Sequence, residues 1–273
     1  MELKTILVDI KDEVGIITLN RPHRMNAWTG RMHTEYRNCL EQLNNDTAVR
    51  VIIVTGAGKG FCVGADSKAL EGHIEKGGYD PGTPDKLAMP GYGVRAEFDA
   101  TFSYHFGLSK PVIAAINGPA AGVGLVLACY ADIRFVVPGI KLTTAHGKLN
   151  LPAEFGLSWL LPRMIGLGAA NDLLLTSRVV MSEEALQLGL VNRVIEKDQL
   201  MSETLAYATL MKNTVSPNSL KETKRQIYTD LHRDVSESVE ESERLLREMM
   251  KQKDYPEAIA AFLEKRQAKW IGE

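Results

Sequence analysis

Two apolar, β-rich segments, each running straight into a glycine-rich turn and then a helical pattern, constrain this chain more than any other feature. Val51–Thr55 (VIIVT) leads into GAGKGFCVGAD at Gly56–Asp66. Pro111–Ile116 (PVIAAI) leads into NGPAAGVG at Asn117–Gly124. Short uncharged runs of this kind are read as strands buried on both faces. Ile133–Val137 is a third such run. The small, apolar stretch Gly122–Tyr130 lies between the last two and reads as a buried helix. Strand, helix, strand in this order predicts an α/β fold with a parallel sheet and right-handed crossovers.

Elsewhere the pattern is more conventional. Thr5–Ile10 and Val14–Leu19 read as paired strands around a turn at Lys11–Glu13, and Thr29–Asn44 has helical periodicity. Gly72–Gly93, with GGYDPGTP and MPGYG, reads as a long functional loop or insertion. Ser182–Leu188 reads as a helix with Ser182 as its N-cap, and Val191–Ile195 as a further strand. Four helical segments follow Asp198, with breaks at Ser216-Pro217 and Tyr255-Pro256; Asp234–Gln252 is amphipathic. This divides the chain into a core at 1–197 and a helical region at 198–273 suited to subunit contacts.

Composition narrows the function classes. The 273 residues are 45% hydrophobic and 24% charged, with a net charge of −2. A nucleic-acid surface held by bulk charge is therefore not expected. Cys39, Cys62 and Cys129 are an odd number, widely spaced, and give neither a disulfide framework nor metal-ligand spacing. No signal-peptide core and no long uncharged apolar run is present, so a cytoplasmic chain without membrane spans is expected.

The glycine-rich turns carry the chemical interest. Neither is a phosphate-binding P-loop, and GAGKGF is not a dinucleotide fingerprint. One reading is a pair of tight turns in which packing demands glycine. The other uses the unpaired N–H groups at a helix start. Two such starts side by side would aim two amides at one oxygen, an oxyanion hole worth roughly 3–4 kcal/mol per donor.

NRPHRMNAW (20–28), VIIVTGAGKGFCVGADSKAL (51–70), KPVIAAINGPAAGVGLVLACYADIRF (110–135), LTSRVVMSEEALQLGLVNRVI (175–195) and AAFLEKRQAKW (260–270) together resemble the crotonase, or enoyl-CoA hydratase/isomerase, superfamily. The resemblance runs in order along nearly the whole chain. It implies a spiral core of ββα turns, a C-terminal helical trimerisation region, and a homotrimer or hexamer. It implies an acyl-CoA thioester as substrate, with coenzyme A entering as part of that substrate and no separate cofactor. By position, the oxyanion amides fall on Ala65 and Val123, where the family usually has glycine at the second. Arg24–Ala27 falls along the adenine and pantetheine path, and Lys68 and Arg24 fall where phosphates need positive charge. Both cations are also readable as solvated surface charges.

The acid–base residues depart from the family pattern. Its hydratases use two glutamates, and these positions hold Val126 and His146 here. Glu154, in LPAEFGLSWLLPR, stands where isomerising relatives carry a carboxylate. One carboxylate suffices to take a proton from the α-carbon and return it further along. The competing reading makes Glu154 a cap for the helix that begins near Leu157. His146 is the second candidate, as a base or a water-orienting group, against a purely structural role; a coupled His146–Glu154 pair would strengthen both. Glu97 is a weaker candidate. Asp66 reads as a helix cap, Asp132 as structural, and Phe155 and Trp159 as core or acyl-pocket walls.

Three functional classes follow. The first is an enoyl-CoA isomerase or a related enzyme with shifted chemistry. The second is a His146-dependent hydrolase of a thioester or β-dicarbonyl. The third is a coenzyme A-binding protein without turnover, or an RNA binder, which the near-neutral charge disfavours.

Overall fold

The computed structural model describes residues 2–77 and 100–272. Strands β1 (Ile6–Lys11) and β2 (Val14–Leu19) form an antiparallel hairpin. Its two-residue turn, Asp12 and Glu13, has positive φ at both positions, the geometry that matches strand twist in tight hairpins. Helix α1 (Gly30–Asn45) is capped by the Thr29 side chain, which accepts from the Met32 amide. β3 (Val51–Gly56) follows, then α2 (Ser67–Lys76).

After residue 100 come β4 (Val112–Ile116), β5 (Ala120–Ala121), α3 (Val123–Tyr130), β6 (Ile133–Val136) and β7 (Lys141–Thr143). Next are α4 (Leu157–Ile165), α5 (Leu167–Thr176), β8 (Val180–Met181), α6 (Ser182–Gln187) and β9 (Arg193–Val194). The chain ends in α7 (Leu200–Thr214), α8 (Pro217–Thr229), α9 (Val235–Met249) and α10 (Asp254–Glu264).

The main sheet has the order β1-β2-β3-β4-β6-β9, and every pairing after the first is parallel. All six residues of β3 and all five of β4 are buried, as their uncharged sequences require. One face packs beneath α1 and α3 through Ile52, Val54, Val112, Ala114, Leu40 and Leu125. The other is closed by Leu200 and Ala208 of α7 against Val51, Ile53, Ile113 and Phe135. Helix α3 is buried along its whole length, which explains its lack of polar residues. A second sheet, β5-β7-β8, is made of strands of two or three residues.

Several expectations are corrected. Gly72–Lys76 belongs to α2, so the predicted loop at Gly72–Gly93 starts in a helix; its remainder from residue 78 lies outside the described residues, as does Glu97. Ser182 is the first residue of α6 and not its cap. Its hydroxyl instead accepts from the Ile140 amide, tying α6 to the β6–β7 connection. The break placed at Tyr255-Pro256 falls earlier, because α10 begins at Asp254 and keeps Pro256 in its first turn, where a missing N–H costs nothing. The Ser216-Pro217 break stands, with Ser216 capping α8. Strand β9 is only Arg193–Val194.

Candidate active site

The two glycine-rich loops lie against each other. Ala121 N–H donates to the Cys62 carbonyl at 3.0 Å, and the Phe61 and Cys62 amides both point at the Pro119 carbonyl. The approach excludes side chains. A Cβ on Gly118 would stand 2.1 Å from the Lys59 oxygen, and one on Gly124 would stand 2.0 Å from the Cys62 oxygen. Packing and chemistry therefore ask for glycine at the same places.

Ala65 and Val123 are brought together by this contact. Each follows a glycine of positive φ, Gly64 at +107° and Gly122 at +49°, and a Cβ on Gly122 would meet the Gly64 Cα at 3.7 Å. Val123 opens α3, so its N–H lacks a helical partner. Ala65 differs from expectation, standing two residues before α2 in an isolated parallel bridge with Trp28. Trp28 N–H donates to Gly64 O, and Asp66 N–H donates to Trp28 O, which turns the Ala65 N–H the opposite way. Among the described residues neither amide has a recorded acceptor.

The turn at residues 20–28 buttresses the first loop. Asn26, fully buried at φ +57°, donates to the carbonyls of Ala57 and Gly60 and accepts from the Arg21 amide. Sequence reasoning placed Asn26 only within the Arg24–Ala27 stretch and missed this buttressing role; its signal was an asparagine, which tolerates left-handed backbone, within NRPHRMNAW. Ala27 is buried. Asp66 accepts from the Lys68 amide at 3.0 Å and so caps α2, as expected. It also pairs with Arg21 at 2.9 Å and, more loosely, with Arg24 at 3.8 Å. Burial pushes the Asp66 carboxyl up, but the Arg21 hydrogen bond, the Lys68 amide and the two arginine charges outweigh it and hold it below the usual range. The Arg24 and Lys68 side chains are exposed on this rim.

Glu154 sits in a short 3-10 turn just before α4. The cap position of α4 is Gly156 and no side chain caps it, so the capping role is excluded. The carboxyl is half-buried, and no hydrogen bond or ion pair to it is recorded among the described residues. Burial alone raises its pKa above the ordinary glutamate value. Its neighbour Phe155 has φ +50°, unusual for a bulky residue. The Phe155 ring packs edge-on against Phe102 at 5.2 Å, and Trp159 stacks on His232.

His146 is buried, and its Nδ1 has no hydrogen-bond partner among the described residues. Ala145 at φ +61° precedes it, and the Ser177 hydroxyl pins the following turn by accepting from Gly147 N–H. This segment touches the second glycine loop, since Gly122 N–H donates to Thr143 O. No hydrogen bond joins His146 to Glu154 among the described residues, so the coupled pair is not formed here. Val126 is buried within α3 and has no acid–base capacity. Asp132 accepts from the Val112 amide, Lys224 and Tyr228, which makes it the structural anchor expected.

The enoyl-CoA hydratase/isomerase family model matches residues 9–273. The chain belongs to that family. A probable enoyl-CoA hydratase of Mycobacterium tuberculosis is 37% identical over 263 residues, covering 94% of this chain and 88% of the relative. The 1,2-epoxyphenylacetyl-CoA isomerase of Escherichia coli is 31% identical over 284 residues, covering 99% and 100%. Among solved structures, the enoyl-CoA hydratase from Bacillus anthracis superposes with a TM-score of 0.86 at 29% identity, covering 99% of this chain and all of that one. The crotonase fold, mixed α/β with a helical C-terminal region, is thereby established, and with it an acyl-CoA enzyme of the hydratase/isomerase family. No helix among the described residues is long and apolar enough to cross a membrane.

Proposed function

We propose that this crotonase moves a carbon–carbon double bond in an acyl-CoA thioester, converting 3-enoyl to 2-enoyl-CoA with Glu154 as its base. One observation carries the reading. Glu154 is half-buried with no hydrogen-bond or ion-pair partner among the described residues, while the place of one hydratase glutamate is filled by Val126. The Glu154 carboxylate takes a proton from C2. The electron pair passes into the thioester, and the amides of Ala65 and Val123 donate to the resulting oxyanion. The same carboxyl then returns the proton at C4, leaving the double bond at C2–C3. Each amide is worth roughly 3–4 kcal/mol to the dienolate. Arg24, Ala27 and Lys68 form the coenzyme A side, with the two cations at the phosphates. The relatives include both a 1,2-epoxyphenylacetyl-CoA isomerase and probable enoyl-CoA hydratases, so isomerisation is within the family's range.

Coenzyme A is needed only as part of the substrate. The active assembly is a homotrimer or hexamer built through the C-terminal helices, whose exposed Val235, Val239, Phe262 and Leu263 supply apolar contact area.

The second reading rests on His146. Its buried, unpartnered Nδ1 suits hydrolysis of a thioester or β-dicarbonyl. Assays of 3-enoyl-CoA and 2-enoyl-CoA with wild type, Glu154→Gln and His146→Ala separate the two. Isomerisation that falls by about 10²- to 10⁴-fold in Glu154→Gln, with KM little changed, supports the base. Rapid hydration of 2-enoyl-CoA by wild type, or loss of activity only in His146→Ala, sinks it.

A further inference from the structure

We infer that Tyr130 is a positioning residue that holds the Glu154 turn in its working conformation through a hydrogen bond to the Phe155 carbonyl. The inference rests on the reading of Glu154 as the base. Tyr130 ends α3, the helix whose first residue is Val123. Its hydroxyl donates to Phe155 O at 2.6 Å. Burial raises the phenol, so the hydroxyl stays a donor across the working pH range.

The turn that receives this bond is strained. Phe155 lies at φ +50° and ψ +36°, and Gly156 at φ +76°. Left-handed backbone is unfavourable for a non-glycine residue and persists only where the surroundings over-determine it. Two contacts do so here. The Phe102 ring meets the Phe155 ring edge-on at 5.2 Å, and the Tyr130 hydroxyl holds the carbonyl. Gly156 makes room for the second contact, because a Cβ there would stand 2.8 Å from the Tyr130 oxygen.

The consequence is a rigid link between the two halves of the catalytic geometry. One end of α3 presents the Val123 amide, and the other fixes the residue next to Glu154. Phe102 provides a parallel link, since its ring also meets Trp28 at 5.5 Å and Trp28 is bridged to Ala65. Without the hydroxyl, the Phe155 peptide is free to relax toward negative φ, which swings the Glu154 carboxyl away from the α-carbon. The proposed coenzyme A contacts at Arg24, Ala27 and Lys68 lie on other elements and are not carried by that turn.

The test compares Tyr130→Phe with Tyr228→Phe, which removes a hydroxyl bonded to Asp132 and not to the Glu154 turn. Isomerisation of 3-enoyl-CoA and thermal unfolding are measured for both, with Glu154→Gln in parallel. For Tyr130→Phe we expect kcat to fall about tenfold or more with KM within twofold, as misplacement of a reacting group predicts. Tyr228→Phe should lower thermal stability and leave kcat unchanged. Wild-type kcat in Tyr130→Phe, or a loss shared equally by Tyr228→Phe, overturns the positioning role while a dead Glu154→Gln keeps the base. An active Glu154→Gln removes the base, and the positioning role falls with it. If Tyr130→Phe does not fold, Gly156→Ala reads the same contact. Its Cβ displaces the hydroxyl and also strains the left-handed backbone, so a kcat loss is expected together with lower thermal stability, and wild-type kcat overturns the inference.

Discussion

Gly124 meets Cys62 so closely that a Cβ on the glycine would stand 2.0 Å from the Cys62 carbonyl oxygen. That contact sets how near the Val123 amide comes to the Ala65 loop. The neighbour is backbone, which cannot rotate aside. Gly124→Ala should cost about 3 kcal/mol or more, at the upper end of overpacking. Chemical denaturation reads the stability and steady-state kinetics the activity. The folded fraction should also lose kcat, because the two loops must part. A variant of wild-type stability would contradict the tight approach.

The pH dependence follows from the raised pKa of Glu154. Its carboxyl must be ionised to take a proton. The acid limb of kcat should therefore lie above the ordinary glutamate value of about 4.3, with activity rising as pH increases through it. A limb at or below that value would show a solvated carboxyl.

The same shift predicts a stability effect of opposite sense. A carboxyl whose folded pKa exceeds its unfolded pKa stabilises the fold below the unfolded value and loses that contribution as pH rises through the folded one. Glu154→Gln should accordingly melt higher than wild type at neutral pH. The gap should close toward pH ~4, where wild type is protonated in both states. An equal or lower melting temperature at pH ~7 would count against the unpartnered carboxyl.

Lys224 anchors α8 to the core from a fully interior position. Its ammonium meets Asp132 at 2.8 Å and the Lys110 carbonyl at 2.9 Å, while Tyr228 occupies the other Asp132 oxygen. Removing one partner of a buried pair costs about 3–5 kcal/mol, so Lys224→Met should unfold at distinctly lower denaturant concentration. Activity per folded molecule should stay near wild type. A loss of kcat without a loss of stability would place the pair in the chemistry instead.

On the coenzyme A side, Lys68→Ala should raise KM several-fold and leave kcat unchanged, with the difference from wild type shrinking as salt screens the contact. A salt-independent KM would return Lys68 to the solvated surface.

The order VIIVT–glycine turn–helix and PVIAAI–glycine turn–helix was enough to determine a buried parallel sheet, because uncharged β-rich runs of five residues have no other way to bury both faces. The Asp66 cap was legible because the acid directly precedes α2, whereas Asp132 read as structural from YADIRF but its partners Val112, Lys224 and Tyr228 are distant in sequence. The family motifs placed Ala65, Val123, Glu154 and His146 by position. Three things were decided only in three dimensions. The β5-β7-β8 sheet was invisible because strands of two or three residues carry no periodicity. Ala65 gained its outward N–H from a bridge to Trp28, a partner 37 positions earlier in the chain, and not from a helix start. Whether Glu154 capped a helix or stood free depended on the backbone of Phe155 and Gly156. That backbone is held left-handed by contacts from Tyr130 and Phe102, which lie 25 and 53 residues upstream of Phe155. Local sequence encodes local propensity; strain of this kind is imposed by distant packing, and only the assembled core supplies it.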